Sequence, residues 1–200
     1  MGATITTVTH KQAVIVEEYV AAMSRAESNF AKGGVNVYVA ARQNREAAEK
    51  ARLVNNDMLK VTAAVKSYHQ FMSLKQSDLE GAHFMFGHHV PVYKSYEQAA
   101  LVAEENGLGV EMKLSAAKKA VSNLVENVNL MKPDTSWHQG MLRVDSLRDA
   151  VVNLSEAGRI VKRFELGQEE SKKVEDATEG YKSRVGEQIS NLIRQDYSSV

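Results

Sequence analysis

The densest cluster of chemically capable side chains in this sequence is Gly81-Ala82-His83-Phe84-Met85-Phe86-Gly87-His88-His89-Val90-Pro91. Neutral imidazole is a common ligand for zinc, copper or nickel, so His83, His88 and His89 form the one candidate metal set. Their spacing argues against it. His88 and His89 are adjacent and point apart in either a helix or a strand, and the stretch contains no acidic ligand. His69 and His138 could join only if the fold carried them there. No metal and no cofactor is therefore expected, and a metal-binding helical protein is kept as an alternative. The stretch reads better as a buried or interface-forming loop carrying Phe84, Met85 and Phe86.

Other chemistry is hard to find. The carboxylate pairs Glu17-Glu18, Glu104-Glu105 and Glu169-Glu170 have lysine or arginine nearby, the pattern of a solvated helix face. The sequence holds no phosphate-binding glycine loop, no His-Glu-x-x-His and no Gly-x-Ser-x-Gly. No catalytic residue is assigned and the chain reads as non-enzymatic. Trp137, the single tryptophan, is expected to anchor a core at a helix start.

Periodicity says far more. Val37, Asn44, Ala51, Met58, Val65 and Met72 recur every seven residues, with Ala40, Ala47, Val54, Val61 and Tyr68 three positions on from the first five. Such spacing describes a helix buried along a narrow seam against another helix. It predicts one unbroken helix from Val37 to Met72, roughly 50 to 60 Å long, and hence an elongated molecule. Alanine in the first half of the seam buries little area, so this helix needs several partners. Asn44 and Asn55 lie at or beside the seam, where a buried amide fixes register.

Before that helix, residues 1–9 are threonine-rich and uncharged and read as a mobile leader. From about Thr9, Ala13, Val16, Val20, Met23, Ala26 and Phe30 follow helical spacing up to Gly33-Gly34, whose shortness favours an antiparallel hairpin. Beyond it, Ser77-Asp78-Leu79-Glu80 opens a short helix, Ser95 caps one over 96–105, and Leu114 begins another that stops at Pro133. A second heptad run, starting at Asp134 or Ser136, carries Val144, Leu147, Val151, Leu154 and Val161 and is the expected partner of the first seam. A charged, weaker helical tail completes the chain. The resulting division is a leader over 1–9, a helical hairpin over 10–73, a variable middle over 74–133 and a heptad helix with its tail over 134–200.

Composition narrows the partners. Lysine plus arginine equals aspartate plus glutamate at 25 each, which argues against nucleic acid and against direct membrane contact. Cysteine is absent, so no disulfide or thiolate site forms. No window is apolar enough to span a bilayer and no cleavable signal stands at the N-terminus.

Several segments resemble the type III secretion needle-tip and extracellular filament proteins, the EspA/SseB-like translocator group. They are Glu105-Asn106-Gly107-Leu108, then Leu114-Ser115-Ala116-Ala117-Lys118-Lys119-Ala120-Val121-Ser122-Asn123, then Asp134 and the coil from Leu142 to Phe164. The segment Val39 to Val65, with its Arg-Gln-Asn-Arg-Glu-Ala-Ala-Glu run, is similar to the group's long N-terminal coil. The coil here departs from the group by continuing well past Phe164, and the stretch from His83 to Val90 has no counterpart in it. The resemblance implies export without a cleaved signal, self-assembly through the two coils, a cytosolic chaperone that covers the seam, and a secreted or cell-surface location.

The expectation is thus an all-α helical hairpin and coiled-coil bundle with a short irregular middle. It would be a structural protein whose partner is another copy of itself, assembling through Val54, Met58, Val61, Val65, Val144, Leu147, Val151 and Leu154. The alternative is a helical virion or phage coat protein, placed in the virion or cytoplasm.

Overall fold

The computed structural model describes residues 2–80, 82–86, 90–133, 137–138, 141–142 and 145–197. They fall into two compact units that divide between Ala117 and Lys118. The class is all-α, apart from a two-residue antiparallel pair of Trp137–His138 (β1) with Met141–Leu142 (β2). The division falls inside a helix.

The first unit is built from α1 (Gly2–Lys32), α2 (Val35–Leu53), α3 (Asp57–Ser73), a 3-10 turn (Gln76–Leu79), α4 (Ala82–Phe86), α5 (Val92–Asn106) and the start of α6 (Val110–Leu130). α1 runs back through the threonines to Gly2. Gly33 and Gly34 both hold positive φ, 67° and 55°, a conformation open to glycine without a Cβ penalty. There the chain reverses: Asn29 bonds Gln43 and Glu18 pairs with Lys50, so α1 descends in number as α2 ascends.

The unbroken helix from Val37 to Met72 does not exist. α2 stops at Leu53 and α3 starts at Asp57. The Asn56 N–H bonds Ala51 O at 3.0 Å and the Asn55 N–H bonds Arg52 O at 3.1 Å, the paired bonds that close a helix around a left-handed residue. That residue is Asn55, with φ 54°. Asn56 then caps α3, its Oδ1 accepting from the Leu59 N–H at 3.0 Å. Asparagine is among the few residues that tolerate this backbone. Asn55→Val is accordingly expected to lose about 1–2 kcal/mol of stability, and Asn55→Gly to lose none. Urea melts of the two variants distinguish a strained turn from a passive linker.

α3 returns along α2: Ser67 Oγ donates to Ala41 O at 2.8 Å, and Asn44 Nδ2 donates to Gln70 Oε1 at 2.7 Å. Tyr19 donates to Leu59 O and Lys66 pairs with Glu27, which sets α3 parallel to α1. The helices meet through small side chains, with Ala22 and Ala26 on α1, Ala40, Ala47, Ala48 and Ala51 on α2, and Ala63 and Ala64 on α3 all fully buried. Alanine lets the backbones approach closely and loses little side-chain entropy. α5 begins at Val92 behind Pro91, not at Ser95, which is buried inside it. Its free Val92 N–H is taken by Gln76 Oε1 at 3.1 Å.

The second unit holds the rest of α6, then α7 (Asp145–Arg163) and α8 (Gln168–Tyr197). β1 and β2 occupy the segment where the second heptad run was expected to start, and the helix begins only at Asp145. Glu165, with φ 53°, breaks α7 from α8. Val128, Ala150 and Tyr181 form one core cluster, with Met131, Leu147, Leu154 and Val185 packed on it. Tyr181 Oη donates to Ser146 Oγ at 3.2 Å, and Arg184 donates to Val128 O at 3.0 Å.

Candidate functional site

The seven-residue spacing predicts that Val54, Met58, Val61 and Val65 form one buried line. On α2 that line is buried, from Ala40 through Asn44 and Ala47 to Ala51. The turn at residues 54–56 shifts the phase, so α3 buries Ala63, Ala64, Ser67, Tyr68 and Phe71 instead. Met58 is left 74% exposed and Val61 41%, while Val54 and Val65 are half-buried. Met58 and Val61 therefore do not zip within the chain as expected. In the second unit Val151 is 57% exposed, whereas Leu147 and Leu154 serve the core around Tyr181. Val144 lies outside the described residues.

The described part of the aromatic stretch is helical and not a loop. Residues 82–86 form α4, with Met85 exposed and Phe86 edge-on to Tyr38 at 5.6 Å between ring centroids. His88 and His89 lie outside the described residues, as do the side chains of His83, Phe84, Trp137 and His138. Among the described residues no group of three or more potential ligands converges on a metal position. His69 is exposed on α3.

A cleft of about 670 Å³ opens along α2 between α4 and α5. Tyr38 and Phe86 make one wall, and Val39, Arg42, Gln43, Arg45, Glu46, Glu49 and Gln98 the rest. The spacing of 38, 42, 45 and 49 puts these α2 residues on one helical face. Sequence reasoning passed over them because each looked like an ordinary surface residue. Arg45 is already engaged: its guanidinium bonds both Glu105 oxygens, at 2.7 and 2.9 Å, and Gln98 Oε1 at 2.5 Å. Glu46 and Glu49 offset Arg42 and Arg45, so the lining has no net charge. The arrangement clamps α2 to α5.

Three buried phenols have pKa values raised by desolvation: Tyr19, where Lys66 partly opposes the shift, Tyr68, where Ser115 does, and Tyr96, where Asp78 adds to it. Each donates its hydroxyl to a backbone carbonyl, of Leu59, Met112 and Leu74 respectively. They are neutral at physiological pH and act as rivets between elements.

Apolar exposure concentrates elsewhere. Leu53 and Met58, which flank the α2–α3 turn, are 63% and 74% exposed. Val20 on α1, level with Leu59 on α3, is 58% exposed, and Val14 and Val16 beyond it are also open to solvent. Among the described residues no helix is long and apolar enough to cross a membrane. No family model, curated protein or solved structure matches the chain.

Proposed function

We propose that this chain is a self-assembling helical structural protein whose copies dock through the apolar end of the first unit. One observation carries it: Val14, Val16, Val20, Leu53, Met58 and Val61 are exposed at the same end of one helical layer. Scattered exposed apolar residues are normal, but a concentration at one end marks an interaction surface. The cleft beside Tyr38 and Arg45 supports this only indirectly, since its charges balance and its best-placed arginine is spent on holding α5.

Within that reading, a type III secretion filament or needle tip held by a cytosolic chaperone before export is the narrower proposal. It draws support from the segments around Glu105, Leu114 and Leu142 and from the uncharged residues 2–9. Location outside the cell belongs to the same proposal. A chain without catalytic or cofactor roles is what this surface fits.

Light scattering over a concentration series tests the surface, with electron microscopy at high concentration to see fibres or rings. Met58→Asp and Val61→Asp are expected to keep full helicity, because neither side chain is buried, and to lose association. Association unchanged in both variants would overturn the assignment.

A further inference from the structure

Along α2, Tyr38, Arg42 and Glu46 follow one another at intervals of four residues, so their side chains stand on one helical face, about 6 Å apart along the axis. All three line the cleft between α4 and α5. Arg42 and Glu46 are exposed and Tyr38 is half-buried, so each is within reach of a solute. A ring, a cation and a carboxylate are thus presented in a row.

The surroundings hold that row in place. Tyr38 stands edge-on to the fully buried Phe71 and to Phe86, each at 5.6 Å between ring centroids, which restrains its ring before anything binds. Nearby, the Arg45 guanidinium holds Glu105 at 2.7 and 2.9 Å and Gln98 at 2.5 Å, and its Nε lies 3.7 Å from Glu49. Those charges are matched among themselves. Among the described residues of the lining, Arg42 and Glu46 are the other two charged groups, one of each sign.

These features narrow the occupant. The volume of about 670 Å³ lies within the roughly 300–1,000 Å³ of small-molecule sites. An apolar molecule would strip water from Arg42 and Glu46 and return no hydrogen bond. A simple anion meets Glu46 beside its arginine, and a simple cation meets Arg42 beside its carboxylate. A solute that carries both charges on one carbon, with a ring attached, answers all three residues. We infer that the cleft binds a free α-amino acid with an aromatic side chain, its ring against Tyr38 and Phe86, its carboxylate on Arg42 and its ammonium on Glu46. One turn between ring and cation on the helix is comparable to the separation of ring and charged groups in such a molecule. Both ionic contacts are charge-assisted hydrogen bonds. Because both stay partly in water, the affinity is modest, with a Kd of about 0.1–1 mM. The inference goes beyond assembly and does not depend on it.

Titration of L-phenylalanine into the isotope-labelled protein, followed through its amide resonances, provides the test. Shifts are expected to centre on residues 38–49 and to saturate at about millimolar concentration. Phenethylamine lacks the carboxylate, hydrocinnamate lacks the ammonium, and leucine keeps both charges without the ring. Each is expected to bind about ten-fold more weakly than phenylalanine. Arg42→Gln and Glu46→Gln change exposed side chains, so helicity is expected to be unchanged in both. Arg42→Gln is expected to weaken phenylalanine about ten-fold while phenethylamine binds no more weakly than before, and Glu46→Gln to do the same with hydrocinnamate as the insensitive probe. N-acetylphenylalanine amide, which stands for the same residue inside a peptide, is expected to give no saturable shift. Equal binding of that capped amide overturns the inference, and so does the lack of any saturable shift with phenylalanine. Phenylalanine binding that both glutamine variants leave unchanged, or shifts centred away from α2, are equally fatal to it.

Discussion

Phe71→Ala is expected to bring the first unit close to unfolding. Phe71 is completely buried and is among the largest side chains enclosed by α2, α3 and α5. Its ring stands edge-on to Tyr38 at 5.6 Å and 70°, and Tyr38 in turn meets Phe86 of α4 at 5.6 Å. Elsewhere the layer between α1, α2 and α3 is filled by alanines, so little aromatic volume is available to collapse into the hole. Truncating a buried phenylalanine costs about 3–5 kcal/mol, cavity included, against a usual total of roughly 5–15 kcal/mol for a domain. Urea unfolding is expected to show a much lower midpoint with an unchanged slope. Met58→Ala, one helix face away and exposed, should fall within about 0.5 kcal/mol of the parent. Equal losses in the two variants would mean that the buried face of α3 has been misassigned.

That contrast runs opposite to what the seven-residue spacing suggests, and the reason is physical. Antiparallel helices of a hairpin each carry an apolar stripe, and a turn of suitable length lets the second stripe continue the numbering of the first. Val54, Asn55 and Asn56 do this, so Ala51, Met58 and Val65 keep their spacing although Ala51 is buried and Met58 is not. No glycine or proline marks the reversal. The signal was present in another form: Asn55 able to hold φ 54°, followed by Asn56 as an N-cap and Asp57 in the first turn of α3.

Where punctuation was conventional, boundaries were legible. Gly33-Gly34 separates α1 from α2, Gly107 closes α5 in the left-handed region, and Pro133 lies just past the end of α6. Ser95 misled because a serine before a helical run is a common cap, whereas here Pro91 leads α5 and Gln76 supplies the missing acceptor from a distant turn. Such long-range caps cannot be seen in a local window. The cleft was invisible for the same reason, since Arg45 becomes notable only once Glu105 and Gln98 are folded against it. The all-α class and the alanine-lined first half of the seam were readable because they depend on composition and period alone.

Asn44 offers the sharpest test of that seam. It is 1% exposed, its Nδ2 bonds Gln70 at 2.7 Å, and its Oδ1 is buried with no hydrogen-bond partner among the described residues. Asn44→Asp keeps the shape and replaces the donor by a carboxylate that burial pushes above its ordinary pKa of about 3.9. The folded form then holds a proton that the unfolded form has released, so stability falls as pH rises above the unfolded value. Below about pH 4 the variant should approach the parent. The deficit should grow by about 1.4 kcal/mol per pH unit until the buried acid itself ionises, reaching about 4 kcal/mol at pH 7 if it stays protonated there. Asn44→Leu removes the orphaned oxygen together with the bond to Gln70, and its effect should be small and independent of pH. Denaturant melts from pH 4 to 8 on both variants are decisive. A flat difference between Asn44→Asp and the parent across that range would place residue 44 in water and remove the helix pairing that encloses it.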